Sequence, residues 1–376
     1  MTEIKRDVAE LIRKKMLKGK VIILLGARRV GKTFLLKQIM NSLTEDYILL
    51  NGEDINTHLI LENRTLENYR QLLGSKKILL IDEAQKIPDI GIKLKLMIDG
   101  IDGLSIIATG SSAFDLNNMS GEPLTGRKYS YTIYPLSENE YRQFEDKVSY
   151  PDHLKNRLIF GNYPELSGIT DTDDKKEYLN EIINSYLLKD VVIFEMVKNS
   201  AKIYNLLRLI AHQTGMEVSY TEIGSQLGMN KITVEKYLDL LSKVFILFKL
   251  EGYSGNLRKE VTKSPKWYFY DNGIRNAVIM NLNPIETRND IGQLWENYVI
   301  SERIKFQSYN RIYAKNYFWR TYDKQEIDLI EERDGKLYAY EIKWKESKVK
   351  IPTAWAKAYP DSEFSVINQF NFDKWV

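Results

Sequence analysis

The chain has no cysteine. That excludes disulfides and thiolate metal sites and leads us to expect a cytoplasmic setting. It has little net charge: +3 over 376 residues. Overall charge therefore does not mark a nucleic-acid binder, and any basic patch has to be local. Long apolar runs are missing too. No window reaches the roughly 18 apolar residues of a membrane-spanning helix, so no membrane partner is expected. The opening segment, Met1 to Lys20, spaces Ile4, Val8, Leu11 and Ile12 like a helix among charges, without the apolar centre of a secretory leader. What is left is ordinary for a chain that buries a sizeable core: 43% hydrophobic and 28% charged residues. At about 100–200 residues per domain, the length suggests two or three domains.

The most informative stretch is KVIILLGARRVGKT, residues 20–33. An apolar run ends in Gly26, Ala27, Arg28, Arg29, Val30, Gly31, Lys32 and Thr33, which is G-x-x-x-x-G-K-[ST] without departure. A buried strand followed by such a loop turns backbone N–H groups inward, where they cradle phosphate oxygens. The glycines supply backbone conformations that a Cβ resists. Lys32 is expected on the β/γ-phosphates and Thr33 on Mg²⁺. A helix from about Lys32 would add its positive end.

Further strands are expected at Tyr47–Leu50, Ile78–Ile81 and in LSIIATGSSA, residues 104–113. Residues 51–61 read as a polar connection, Leu66–Leu73 and residues 91–101 as helices. Ile78–Ile81 is an apolar run ended by Asp82 and Glu83, as in a strand buried on both faces whose carboxyl end meets a ligand. Asp82 is then expected near the metal on Thr33, and Glu83 to orient or deprotonate an attacking water. Thr109, Ser111 and Ser112 are candidates to sense a γ-phosphate, with a helix N-cap as the alternative for the serines. Arg127 sits at a glycine turn before a final alternating strand. A reach to nucleotide, in cis or from a neighbouring subunit, and a surface salt bridge are both open to it.

GARRVGKT, LLIDEAQ, IIATGSSA and LTGRKYSYTIYPLSENEY, in this order, resemble a large prokaryotic family of AAA-type P-loop ATPases carrying a C-terminal domain of unknown function. The resemblance implies an ATP hydrolase with a nucleotide site at Gly31, Lys32, Thr33, Asp82 and Glu83. Nothing resembles the Asn-Lys-x-Asp loop that reads guanine, so ATP and Mg²⁺ are the expected ligands.

Residues 149–174 are turn-rich and include Gly161-Asn162-Tyr163-Pro164-Glu165, read as a structural turn. Residues 177–196 carry a helical apolar face. SYTEIGSQLGMNKITVEKYLDLLSKVFILFKL, residues 219–250, has the form of a helix-turn-helix. Ser219 caps with Glu222 three residues on, Gly228 ends the first helix, and Ile232, Tyr237, Leu240 and Leu241 point inward from the second. Residues 245–250 and 266–270 would make a wing. Lys231, Thr233, Lys236 and Lys243 are the candidate DNA contacts. From Lys202 to Lys266 there are ten basic and six acidic residues. The alternative is a module for packing or protein contacts.

Near the C-terminus, Asp334-Gly335 divides two alternating runs, a strong hairpin signal. With those two residues as the turn, Ile327 faces Ile342 and Leu329 faces Tyr340 on an apolar side. Asp328 then stands opposite Glu341, and Glu326 opposite Lys343. Like charges opposed on a rung destabilise it, so a cation is required: a metal or Lys343. Asp328 with Glu341-Ile342-Lys343 resembles the PD-(D/E)xK nuclease fold, although Glu-Ile-Asp replaces the Pro-Asp element. The resemblance implies metal ligands at Asp328, Glu341 and, on a preceding helix, Glu296, with Lys343 stabilising the phosphate. The alternative is a salt-bridge cluster on an inactive fold.

The expected architecture is therefore α/β. An AAA/ASCE-type P-loop NTPase domain with a parallel sheet spans 1–145, and a helical linker or lid 146–200. A winged-helix-like module spans 201–275 and an α/β restriction-endonuclease-like domain 276–376. DNA, a partner protein or a second copy of the chain are the expected partners beside ATP.

Overall fold

The computed structural model describes residues 4–16, 19–111, 124–187, 200–255 and 264–376. It forms two compact units. One comprises Met1–Leu136 with Lys243–Phe245, the other Ser137–Ser242 with Ile246–Val376. Ser112 and residues 188–199 of the expected helical stretch lie outside the described residues.

The first unit is a parallel sheet between helices. Its strands are β1 (Val21–Leu25), β2 (Tyr47–Asn51), β3 (Ile78–Asp82), β4 (Ser105–Gly110) and β5 (Lys128–Thr132), in the order β2-β3-β4-β1-β5. All pairings are parallel. Strand β4 thus separates the strand leading into the glycine loop from the strand ending in Asp82. The three central strands are near-continuous apolar runs because both faces are covered. The helices are α1 (Ala9–Arg13), α2 (Lys32–Asn41), α3 (Ile55–Glu62), α4 (Leu66–Leu73) and α5 (Ile90–Gly100). Helix α3 occupies the stretch read as a polar connection. Asp54 caps it, but Ile55, Leu59 and Ile60 are exposed, so it has no inward apolar stripe to betray it.

The second unit opens with α6 (Glu138–Tyr141), α7 (Tyr150–Phe160), α8 (Thr172–Glu181) and α9 (Ser200–His212). Helix α7 lies in the turn-rich stretch, where Pro151 in the first turn starts a helix rather than breaking one. The helix-turn-helix is α10 (Tyr220–Leu227) and α11 (Lys231–Lys243). Ser219 accepts from the Glu222 amide, and Gly228 ends α10 at φ 60°. On α11 the buried side chains are Val234, Leu238, Leu240 and Leu241. Ile232 is 75% exposed, against the inward position expected for it, because the apolar stripe runs through Val234 and Leu238 instead.

Next come β6 (Leu247–Gly252), β7 (Lys266–Phe269), α12 (Asn272–Val278), α13 (Ile291–Asn310), β8 (Lys315–Arg320), β9 (Glu326–Arg333), β10 (Lys336–Ile342), α14 (Thr353–Ala358) and β11 (Glu363–Ile367). Strands β6 and β7 pair antiparallel, as a hairpin. It also pairs in parallel with β8 through Glu251 and Gly252, giving one sheet, β11-β10-β9-β8-β6-β7. The strands on either side of residue 275 therefore share a sheet.

The β9–β10 hairpin turns at Asp334 (φ 52°) and Gly335 (φ 73°), the positive-φ pair a tight hairpin needs. It pairs Leu329 with Tyr340 and Ile330 with Ala339. Between β8 and β9 the register shifts: Tyr317 faces Ile330 but Trp319 faces Ile327. Strand β9 therefore carries one residue more, a bulge at Asp328–Leu329. The expected single apolar side is replaced by burial on both. Ile327, Leu329 and Ile330 are all buried, and Ile327 and Ile330 join one cluster with Trp319, Ala339 and Trp355.

Candidate functional site

The loop after β1 is built for close approach. Arg29 (φ 63°) and Gly31 (φ 92°) adopt left-handed conformations, and Gly31 caps α2. Gly26 serves differently from the expectation. Its φ is not positive, but a Cβ there would run into the carbonyl oxygen of Ile133, whose N–H bonds Leu25 O at 2.6 Å. Arg6, which sequence reasoning missed, donates to Val30 O (2.6 Å) and Tyr134 O (2.7 Å) and ties the loop to β5. Lys32, only 5% exposed, donates to Gly26 O (2.9 Å) and Ala27 O (2.8 Å). Its ammonium thus lies over the loop, where phosphate oxygens would compete for it.

The β1, β3 and β4 ends converge beside this loop. Thr33 Oγ1 donates to Asp82 Oδ2 at 2.8 Å. Thr109 Oγ1 donates to Asp82 Oδ1 at 2.5 Å and accepts from Glu83 N–H at 3.0 Å. Glu83 is held at φ 50°, an uncommon conformation for a non-glycine residue and one that recurs at functional sites. Gly52 N–H donates to Asp82 O at 2.8 Å, and a Cβ on Gly52 would collide with Glu83 O. Gln85 Nε2 donates to Glu83 Oε2 (2.5 Å) and to Ser111 Oγ (3.1 Å). Gln85, in LLIDEAQ, thus reaches back to the glutamate, a contact that only the fold shows.

Arg127 is not brought to this site. Its carbonyl accepts from Val21 N–H at 2.9 Å, at the start of β1, whereas the glycine loop follows the end of that five-residue strand. At about 3.3 Å per residue, the two ends are roughly 15 Å apart. Its guanidinium pairs with Asp99 at 2.7 Å, with both side chains partly exposed. This is the surface salt bridge of the two alternatives.

In the second unit Asp328, Glu341 and Lys343 come together. Lys343 Nζ lies 2.6 Å from Glu341 Oε1 and 3.8 Å from Asp328 Oδ2. Asp328 Oδ2 also accepts from Ile342 N–H at 2.8 Å. Glu296, on α13, accepts from Tyr268 OH at 2.6 Å. Burial pushes Glu296 up to about 7, against the pull of Lys266. Asp328 and Glu341 are raised by burial first, Glu341 also by the Asp328 charge. Burial opposes the charge on Lys343 and Lys266, yet the carboxylates around them outweigh it and hold both above the ordinary lysine value. Sequence reasoning missed Lys266, which lies 2.5 Å from Glu326 Oε1 and 3.8 Å from Glu296 Oε1. Among the described residues, no three His, Cys, Asp or Glu side chains are arranged to hold a metal ion.

Of the Gly161–Glu165 turn, Gly161, Asn162 and Tyr163 are buried and Glu165 is exposed. Asn162 donates its N–H to Asp271 (2.6 Å) and its amide to Glu302 (2.9 Å), and a Cβ on Gly161 would strike the Asp271 carboxylate. Nearby, Arg157 binds Glu138 and Glu145 with both partners buried.

Residues 18–142 match the family model described as an AAA domain. With the loop, the acidic strand end and the strand order above, the first unit has an AAA-type P-loop ATPase fold. Residues 151–285 and 291–368 match two domains of unknown function, DUF8612 and DUF4143. An uncharacterized protein of Mycobacterium tuberculosis is 26% identical over 343 residues, covering 90% of this chain and 74% of the relative. One from Methanocaldococcus jannaschii is 26% identical over 379 residues, covering 94% and 82%. Among solved structures, a Walker-type ATPase of Pyrococcus abyssi is 16% identical, spans 73% of this chain and 95% of its own, and superposes with a TM-score of 0.48. No helix of the described residues is long and apolar enough to cross a membrane.

Proposed function

We propose that the first unit binds ATP with Mg²⁺ and hydrolyses it. The observation that carries this is the hydrogen-bonded chain Thr33–Asp82–Thr109–Glu83 N–H beside an intact glycine loop. The loop N–H groups and the α2 N-terminus bind the phosphates. Lys32 exchanges the Gly26 and Ala27 carbonyls for phosphate oxygens. The Thr33 hydroxyl and Asp82 carboxylate are hard oxygen donors and fit Mg²⁺, which takes such ligands together with phosphates and water. When bound, the ion supplies charge neutralisation across the β- and γ-phosphates. Glu83 orients a water onto the γ-phosphorus and accepts its proton as the bond to the β–γ bridging oxygen breaks and ADP leaves. Thr109 fixes Asp82 and the Glu83 backbone. Arg127, exposed and distant from its own loop, retains a role only across an oligomer interface. Lys32→Ala is expected to abolish ATP binding and hydrolysis together; a variant that binds and turns over ATP like the wild type would refute the assignment.

For the second unit, one reading is ATP-regulated DNA binding or processing, with α10–α11 on DNA and the Asp328/Glu341/Lys343 cluster cutting it. A second reading is a nucleotide-dependent switch acting through protein contacts on an inactive nuclease fold. The exposed surface of α11 favours the second. Lys231 and Lys236 share it with Glu235 and Asp239, whereas phosphate contacts call for uniform positive charge. A mobility-shift assay at low salt separates them: no binding to duplex or single-stranded DNA, with or without ATP, is the expected result.

A further inference from the structure

We propose that Lys266 is the resident cation of the Glu296–Glu326–Asp328 cluster, and that it takes the place a divalent metal would hold in the nuclease site the sequence resembles. The inference deepens only the inactive-nuclease part of the second reading of the second unit; it is independent of the ATP site and of whether the unit binds DNA.

Lys266 is 1% exposed. Its ammonium lies 2.5 Å from Glu326 Oε1 and 3.8 Å from Glu296 Oε1, with the Phe318 ring centroid at 5.1 Å. A buried ammonium is retained only where opposite charge and hydrogen bonds compensate its lost hydration. The remaining carboxylates are also engaged from within the chain. Tyr268 OH serves Glu296, Ile342 N–H serves Asp328, and Lys343 serves Glu341. A hard divalent ion needs about six oxygen ligands at roughly 2.0–2.6 Å, and here it would meet a fixed positive charge and oxygens already turned to protein donors.

The lysine arrives through the sheet. Strand β7 begins with Lys266 and pairs with β6, which pairs with β8. The wing-like hairpin thereby delivers an ammonium to a cluster built by α13, β9 and β10. The site is then an internal ion-pair lattice rather than a metal-dependent phosphodiesterase.

The test is Mn²⁺ alone, titrated into the nucleotide-free full-length chain and followed by electron paramagnetic resonance. Asp328→Asn separates uptake at the cluster from uptake at the glycine-loop site. Wild type and Asp328→Asn are expected to bind the same amount of Mn²⁺. Lys266→Met is expected to gain one further Mn²⁺ with affinity raised about ten-fold or more, a gain that Asp328→Asn removes in the same background. Wild-type uptake that disappears in Asp328→Asn overturns the proposal, and so does a folded Lys266→Met chain without the gain. If Lys266→Met loses its cooperative melting transition, the comparison of wild type with Asp328→Asn decides alone. DNA binding without Mn²⁺ uptake would sink the switch reading and leave this inference standing.

Discussion

Thr109 shows how much of the phosphate site depends on a single hydroxyl. It is fully buried, donating to Asp82 and accepting from Glu83 N–H. Thr109→Val keeps the shape but removes the hydroxyl's bonds, leaving Glu83 N–H and Asp82 Oδ1 only each other at 3.2 Å, at about 1.5–3 kcal/mol for a hydrogen bond to a charged group. Falling on the transition state, that is roughly a ten- to hundred-fold loss in turnover, with ATP affinity little changed; steady-state kinetics with a direct ATP-binding titration checks it. The strand-end hydroxyl was legible in the sequence because it follows an apolar run. So were Lys32, Thr33 and Asp82, whose spacing is set by strand and loop geometry. Glu83's left-handed backbone, the Gln85 contact and the Arg6 clasp were not, since each depends on a partner distant in the chain or on a local backbone turn. Arg127 was left open between nucleotide and surface salt bridge, and the parallel pairing of β5 with β1 puts it at the strand starts, where it pairs with Asp99.

At the scale of elements, α13 and β9 are joined by a buried fork. Arg303 Nε and Nη2 bind the two oxygens of Glu331 at 2.5 and 3.1 Å, and Arg303 also donates to Trp375 O. Breaking such a pair from one side leaves a buried charge and costs about 3–5 kcal/mol, while replacing both partners with apolar groups of similar volume is often neutral. Glu331 also keeps Arg333 Nε at 3.2 Å, so Arg303→Met is expected to destabilise in chemical denaturation by less than that full cost, and Arg303→Met with Glu331→Leu to recover part of the loss. The hairpin that carries Glu331 was readable because Asp334-Gly335 fixes its register. The bulge opposite Phe318 was not, and it turned an expected one-sided apolar strand into one buried on both sides. Helices α3 and α7 escaped for the converse reason: one exposes its apolar residues, and the other hides behind a proline in its first turn.

The whole molecule comprises two compact units. The β6–β7 hairpin belongs to the same sheet as β8 to β11, through a pairing between β6 and β8 that no local pattern announces. That unit also buries many charges. Glu302 is raised above 4.5, by burial first and against Lys305. Asp271 is raised above 3.8, again by burial, against its backbone donors. Between their unfolded and folded values, these groups in the folded state hold protons that the unfolded chain has released. Their contribution to stability is complete below the unfolded values, 3.8 and 4.5, and is lost as pH rises through the folded ones. Glu302→Gln is expected to remove its share of this loss, so that its melting temperature falls less, or rises more, with pH above 4.5 than that of the wild type, even where its absolute stability is lower.

The account turns on hydrolysis at the Asp82–Glu83 strand end. Its most direct test is single-turnover ATP hydrolysis by the full-length chain beside Glu83→Gln, with ATP binding measured on both. The predicted result is retained binding with hydrolysis reduced about a hundred-fold. Hydrolysis by Glu83→Gln at the wild-type rate would contradict it.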